Sequence, residues 1–371
     1  MSRKLRVAVI FGGRSGEHEI SLISAASVMN AIDKHRYEVV PIGITKEGTW
    51  LVSGDPMRVL KGETRVPEKS TSAITIDPIR RALVSLGSDS QSSGNHRLDV
   101  AIPILHGPYG EDGTVQGLLE LADIPYVGAG VLASAVGMDK SVMKMVFVQR
   151  GIPVVDHIAV LKKEWARDAT AITGLLEQSI GYPCFVKPAC LGSSVGISKV
   201  HGRDQLAAAM RIAGEFDRKI VVEKAAIDCR EIECSVLGND DPIASVPGEI
   251  VPCNEFYDYR AKYMDEGSKL IIPADLAKET TASVRHLAVE AFKAVDCAGM
   301  ARVDFFVSRD GKQVIVNEIN TIPGFTKISM YPKLWEASGI TYSELIDRLI
   351  ELALERHAEK AQLRSSYEPG T

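Results

Sequence analysis

Two periods of apolar spacing run along the chain. Residues 5–11 form an almost continuous apolar run, the mark of a strand buried on both faces. The turn Gly12-Gly13-Arg14-Ser15-Gly16 follows, and from about residue 20 to 32 apolar residues return at helical spacing. Residues 39–44 read as a second strand, so the chain opens strand–turn–helix–strand, as a parallel α/β domain does. Residues 100–105 form another buried strand. It ends in His106-Gly107-Pro108-Tyr109-Gly110-Glu111-Asp112-Gly113, a loop that enters a helix near Thr114. The polar stretch 62–95 closes on a Gly/Ser/Asn-rich segment and is expected to be an insertion or long loop.

Small residues at Gly128-Ala129-Gly130 mark a boundary before a helix that starts around Asp139. Strands are expected at 183–187 and 195–200 around a Gly/Ser loop, then a helix at 204–213 and a strand at 219–223. In 279–296, Val284, Leu287, Ala288, Ala291, Phe292 and Val295 form one apolar helix face. Two strands, 300–307 and 313–319, are joined by a turn through Asp310-Gly311. The last helix opens with Thr341 and Glu344 in capping-box spacing and presents Leu345, Ile346, Leu349, Ile350 and Ala353 to a core. The expected units are 1–128, 129–226 and 227–360, with a frayed tail at 361–371.

Composition narrows the function classes. The net charge is −5 and no long Lys/Arg run occurs, so the electrostatic footprint for nucleic acid or an anionic membrane is missing. Six cysteines without a C-x-x-C pair speak against a zinc ribbon or a disulfide scaffold and for reduced thiols. The basic Met1-Ser2-Arg3-Lys4 start precedes an apolar run too short for a signal peptide, and the uncharged stretch 124–138 is shorter than a membrane span. A cytoplasmic protein is expected.

Two nucleotide fingerprints are excluded, because the chain has no G-x-x-x-x-G-K-S/T and its first turn lacks G-x-G-x-x-G. Other chemistry remains. Side chains alternate along a strand, so Arg302 and Asp304 share a face, as do Glu318 and Asn320 on the partner strand. Folding that hairpin gathers hard oxygen donors beside a guanidinium, a set that suits Mg²⁺ shared with nucleotide phosphates. The bland alternative, a solvated strand face with an ion pair, fits poorly with polar groups interrupting the β-rich run at Asn317-Glu318-Ile319-Asn320. Lys187 ends a strand before Gly192, Ser193, Ser194 and Gly196, whose backbone N–H groups could close over phosphates, although such turns are common. The strand end Glu223-Lys224-Ala225-Ala226 offers backbone groups for an adenine edge, and Glu231 follows as a carboxylate for ribose hydroxyls.

Taken together, these segments resemble the ATP-grasp ligases, and within them the D-alanine–D-alanine ligases. The resemblance rests on Phe11 to Ser21, His106 to Gly113, Met138-Asp139-Lys140, Lys187 to Gly196, Glu255 to Tyr263, and Asn317-Glu318-Ile319-Asn320-Thr321-Ile322-Pro323-Gly324. These segments run in family order over about residues 5–355. The resemblance implies an α/β (α+β) protein of three domains. A parallel α/β domain would precede an ATP-grasp fold whose central part spans 129–226 and whose C-terminal part, 227–360, carries the metal site.

The site residues the resemblance implies are these. Lys140 and Lys187 would neutralise ATP phosphates, while Glu223, Lys224, Ala225 and Ala226 would hold adenine and Glu231 the ribose. Asp304, Glu318 and Asn320 would bind two Mg²⁺ ions, for which Mn²⁺ would substitute, and a monovalent cation is a further candidate. Glu19 would hold the ammonium of the first D-alanine, with His106 near its carboxylate and Ser193 and Tyr263 linked to Glu19. Lys262 and Ser329 would hold the carboxylate of the second D-alanine, and Arg302 with the backbone N–H of Gly324 would stabilise the oxyanion. The implied reaction is ATP-dependent joining of two D-alanines through an acylphosphate, for peptidoglycan precursors, by a homodimer. D-lactate or D-serine as acceptor, and a non-catalytic ATP- or amino-acid-binding regulator, are the rivals. Cys190 and Arg260 depart from the family pattern, and both flank the site.

Overall fold

The computed structural model describes residues 3–52, 54–64, 73–77, 79, 82–86, 97–192, 195–251 and 269–364. The first third of the chain runs β1 (Leu5–Gly12), α1 (His18–Ala31), β2 (Tyr37–Ile44), β3 (Trp50–Leu51), α2 (Pro56–Leu60), β4 (Ala73–Asp77), β5 (Ala82–Leu86), β6 (Val100–Ile104) and α3 (Thr114–Leu121). Strands lie in the order β3-β2-β1-β6, with β1 parallel to both β2 and β6. The apolar run of β1 has two partners. Val7, Val9 and Phe11 pack with Leu22, Ala25 and Val28 of α1, whereas Ala8 and Ile10 pack with Leu119 and Ile124 on the other face. The stretch expected as a loop holds an antiparallel hairpin, β4 with β5. Its short runs Ala73-Ile74-Thr75-Ile76 and Leu83-Val84 carry β-favouring residues that the polar composition around them masks.

The middle of the chain continues with α4 (Val131–Met138), α5 (Lys140–Gln149), β7 (His157–Leu161), α6 (Lys162–Arg167), α7 (Ala169–Ser179), β8 (Cys184–Pro188), β9 (Ser198–Val200), α8 (Arg203–Phe216) and β10 (Lys219–Lys224). These strands form an antiparallel sheet, β7-β10-β8-β9, against which α8 buries Leu206, Ala209, Met210 and Ala213. Helix α4 was not expected, because Gly and Ala residues blur its polar face. Asp139 separates the two helices and caps α5, its side chain accepting from the backbone N–H groups of Ser141 (3.1 Å) and Val142 (3.2 Å).

The last part comprises β11 (Cys229–Gly238), β12 (Ile243–Ala244), β13 (Gly248–Val251), β14 (Lys269–Ile271), α9 (Lys278–Ala294), β15 (Gly299–Ser308), β16 (Val314–Asn320), α10 (Met330–Ala337) and α11 (Tyr342–Lys360). Its sheet runs β14-β13-β11-β15-β16, with β12 added to β11. Helix α9 buries Val284, Ala288, Ala291 and Phe292, as the periodicity requires. Thr341 caps α11, and Leu345, Ile346, Leu349, Ile350 and Ala353 are buried as expected. Their partners include Val7, Val9 and Phe11, so the last helix covers the first sheet. No helix among the described residues is long and apolar enough to cross a membrane.

Candidate active site

The hairpin β15–β16 places its polar face in register. Arg302 lies opposite Asn320 and Asp304 opposite Glu318. Arg302 donates to both oxygens of Asp304, from Nε (2.7 Å) and Nη2 (2.7 Å), and Asn320 Nδ2 donates to Asp304 Oδ2 (3.0 Å). The neighbouring strand β11 contributes Glu233 opposite Asp304, and Arg302 Nε lies 3.0 Å from Glu233 Oε2. Glu231 falls two residues from Glu233 and therefore shares its face. Between Asp304 and Phe305 the register shifts, because Phe305 pairs with Val316 and Asn317 is the extra residue of a β-bulge.

A second wall faces this hairpin. Lys187, at the end of β8, donates to Glu223 Oε2 of β10 (2.6 Å). Lys140 opens α5, donates to the backbone carbonyl of Leu191 (2.8 Å), and sits 3.7 Å from Glu318 Oε2. One turn on, Lys144 is fully buried; its Nζ donates to the Asn317 carbonyl (3.0 Å) and lies 3.5 Å from Glu223 Oε1. Burial works against the charge of Glu223, but the ammonium groups of Lys144, Lys187 and Lys140 overcome it and pull the carboxyl down to about 2. Burial moves Lys144 the other way, below the usual lysine range, against the charges of Glu223 and Glu318. Glu223 Oε1 is buried and accepts no hydrogen bond among the described residues. Next to it β10 ends at Lys224, which is exposed, while the Ala225 N–H donates to Pro183 O (3.1 Å) and Ala226 is half-buried.

The third wall comes from the first third of the chain. Gly12 and Gly13 both take positive φ (94° and 99°), and a Cβ on Gly12 would fall 2.2 Å from the Ile44 carbonyl oxygen, so only glycine makes this turn. The turn delivers Glu17 to the start of α1. A Cβ on Gly107 would lie 2.9 Å from Glu17 Oε2, and one on Gly192 3.4 Å from it. Glu17 thus stands between the His106 loop and the Gly/Ser loop. Glu19, the residue expected here, does not. Its side chain is 63% exposed and accepts from Lys46 Nζ (2.8 Å) on the outer surface, a pairing that lowers its pKa. Glu17 is the N-cap residue, set by the preceding turn, whereas Glu19 lies inside the first turn of α1 on its outer side.

His106 is buried, with Nδ1 3.5 Å from Glu111 Oε1, and Glu111 Oε2 accepts from the Gly107 N–H (3.1 Å). Burial alone would lower the pKa of His106. The hydrogen bond and charge of Glu111, the charge of Glu17 and the backbone of Ile322 outweigh it and raise the value. Burial has the opposite sign at Glu111, where it pushes the carboxyl up, and the charge of Glu17 adds to it. Glu111 was not singled out from the sequence, although it sits in the quoted loop five residues after His106. Gly324 and Ser329 approach each other beyond β16, a Cβ on Gly324 falling 2.9 Å from Ser329 Oγ, and Ser329 Oγ is 2.7 Å from Thr326 Oγ1. Ser193, Lys262 and Tyr263 lie outside the described residues, as does Arg260. Cys190 anchors its loop through its backbone N–H to Asp217 (2.8 Å), and burial, with the charges of Asp139 and Asp217, pushes its thiol up to about 12.

The sequence and the fold match known proteins across nearly the whole chain. The family model for the D-ala D-ala ligase N-terminus matches residues 6–129, and that for the D-ala D-ala ligase C-terminus matches residues 146–351. The chain belongs to the D-alanine–D-alanine ligase family. A D-alanine–D-alanine ligase of Geobacillus thermodenitrificans is 51% identical over 365 residues, covering 98% of this chain and 100% of that one. That of Chloroherpeton thalassium is 52% identical over 360 residues, covering 96% and 98%. Among solved structures, the D-alanine–D-alanine ligase from Coxiella burnetii superposes with a TM-score of 0.83 at 41% identity, covering 97% of each chain. The VanG D-Ala:D-Ser ligase from Enterococcus faecalis gives a TM-score of 0.83 at 35% identity, covering 95% of this chain and 100% of that one. The architecture is that of an ATP-grasp ligase, as the sequence resemblance implied.

Within this family frame the donor set fits a divalent cation. Among the described residues no group of three or more acids, histidines or cysteines would hold a metal alone. Asp304 and Glu318 with the Asn320 amide oxygen bring hard oxygen donors together, the kind that Mg²⁺ completes with phosphate oxygens and water, although Asp304 here is paired with Arg302 and Asn320.

Proposed function

We propose that this ligase joins two molecules of D-alanine into D-alanyl-D-alanine, converting ATP to ADP and phosphate through an acylphosphate, for cell-wall peptidoglycan. The observation that carries this reading is the meeting of three walls. The carboxylates and arginine of β15–β16 face the lysines of α5 and β8, and the Glu17–His106 cluster closes the third side.

The chemistry follows from charge. A carboxylate is a poor acylating agent, and phosphate repels it. Lys140 and Lys187 offset that repulsion at the phosphates, and Asp304, Glu318 and Asn320 would hold Mg²⁺ or Mn²⁺ against them. The cation supplies positive charge that neutralises and orients the phosphate oxygens. Glu223, held by Lys187 and Lys144, fixes the strand end whose backbone at Lys224, Ala225 and Ala226 takes the adenine edge; Glu231 serves the ribose. Glu17, rather than Glu19, holds the ammonium of the first D-alanine, because it alone of the two lies between the loops. His106, held by Glu111, stands by that amino acid's carboxylate. The amine of the second D-alanine then attacks the activated carbonyl, and phosphate leaves. Arg302 and the Gly324 N–H stabilise the oxyanion, while Ser329 and Lys262 orient the acceptor. Ser193 and Tyr263, which the resemblance links to the first D-alanine, would help exclude water that would hydrolyse the acylphosphate. We assign the enzyme to the cytoplasm, where ATP is available, and expect a homodimer.

Measuring ADP release with and without D-alanine tests this reading. Release that depends on both D-alanine and Mg²⁺ is expected. Tight ATP binding without D-alanine-dependent ADP release would point to a binding protein instead.

A further inference from the structure

Lys144 is a lysine with no route to water. It sits in the middle of α5 between Met143 and Phe147-lined core, with 0% exposure. An ammonium there loses its hydration, a cost of several kcal/mol unless partners restore it. Its partners come from opposite sides. On one, Glu223 Oε1 of β10 lies 3.5 Å away; on the other, the Asn317 carbonyl accepts at 3.0 Å. That carbonyl belongs to the bulged residue of β16, next to Glu318. Bulges free a backbone group from the ladder, and here Lys144 takes it.

A purely structural role would be filled more cheaply. Buried ion pairs are often replaced by apolar residues of similar volume with no loss of stability, and the surrounding core is apolar. The charge instead bridges two elements that carry ligands. The same helix presents Lys140 one turn earlier, reaching the Leu191 carbonyl and Glu318. Glu223 is thereby divided, with Oε2 on Lys187 and Oε1 turned to Lys144.

We propose that Lys144 is a positioning residue for the nucleotide: it fixes Glu223 and the Asn317 bulge in one relation, so that β10 and β16 present their ligands to ATP together. Without it, Glu223 is free to collapse fully onto Lys187, and the bulge loses the cation that orients its carbonyl. This rests on the nucleotide roles given above to Glu223 and Lys187.

The test is a cycle of Lys144→Met and Glu223→Gln in the full chain, titrated with Mg·ATP in a calorimeter without D-alanine, alongside steady-state kinetics. Lys144→Met is expected to weaken ATP binding by about tenfold to a hundredfold, the scale of one lost charge-assisted contact. The KM for D-alanine should move less than about twofold, a split that general loss of structure would not produce. Added to Glu223→Gln, Lys144→Met should cost little more, since both act through one carboxylate. Unchanged ATP affinity in Lys144→Met, or an equal cost in both backgrounds, overturns the proposal. Should Lys144→Met fail to fold, the double variant, which leaves no unpaired carboxylate, is compared with Glu223→Gln; if that also fails to fold, Lys144 is structural and the proposal is overturned. If Glu223→Gln alone leaves ATP binding intact, the nucleotide role of Glu223 falls and this proposal with it. If it weakens ATP and Lys144→Met does not, only this proposal falls.

Discussion

The hairpin β15–β16 and the turn into α1 both carry candidate site residues, yet they translate from sequence to space differently. On the hairpin, Arg302, Asp304, Glu318 and Asn320 meet as their spacing requires, opposite one another in register. At the start of α1, Glu17 precedes the helix as its N-cap and Glu19 lies in its first turn, but only Glu17 faces the His106 and Gly192 loops. A strand has a period of two, so between Arg302 and Asp304, and between Glu318 and Asn320, one assigned residue fixes the face of the other, the bulge at Asn317 lying outside both pairs. The residues before a helix have no period, and which acid points inward depends on a turn that Gly12 and Gly13 set through positive φ.

The largest effect tests the hairpin. Glu318→Gln removes one charge from the expected cation set while keeping the shape, and Mg²⁺-dependent ADP formation should fall at least about 10³-fold. Near wild-type turnover at ordinary Mg²⁺ would break the metal assignment. Arg302→Met comes next. It should cut kcat about 10²- to 10³-fold with ATP binding nearly intact, as for a donor that acts on charge developing in the transition state. Weakened ATP binding with unchanged kcat would move Arg302 to the nucleotide.

The contrast at α1 is sharpened by a pair of variants. Glu17→Gln should raise the KM for D-alanine by about tenfold or more, the loss of one ion-paired contact. Glu19→Gln removes only an exposed pair with Lys46 and should change kcat and KM less than about twofold. The opposite ranking, read from D-alanine saturation curves, would restore Glu19. The smallest effect is on stability against acid. Glu223 is held at about 2 in the folded chain against an ordinary 4.5, so the stability it contributes is complete above 4.5 and lost as pH falls toward 2. Urea melts across that window should show a pH slope that Glu223→Gln reduces; an unchanged slope would remove Glu223 from the ion network.

What was legible in the sequence follows the same division. Periodicity located α9 and α11 with their buried faces, and the β1 run announced a strand covered on both sides. It could not tell that α11 supplies part of that cover, because a helix face names its need for a partner and not the partner's identity. The β4–β5 hairpin was hidden by its polar surroundings, and α4 by its Gly/Ala composition. Lys144 carried no signal, since a lysine in a helix reads as solvent-facing until the packing is known. Glu111 was visible in its loop, but only the fold shows that its carboxylate reaches His106.

The identity of the acceptor is what separates this reaction from its rivals. The segment Glu255 to Tyr263, one of those that carry the resemblance, ends in a tyrosine, whose hydroxyl adds no positive charge at neutral pH. Purified enzyme given ATP, Mg²⁺, D-alanine, D-lactate and D-serine at equal concentrations near pH 7, with products identified by mass spectrometry, measures it directly. D-alanyl-D-alanine as the main product, formed one for one with ADP, is the expected result. A predominant D-alanyl-D-lactate or D-alanyl-D-serine product would contradict it.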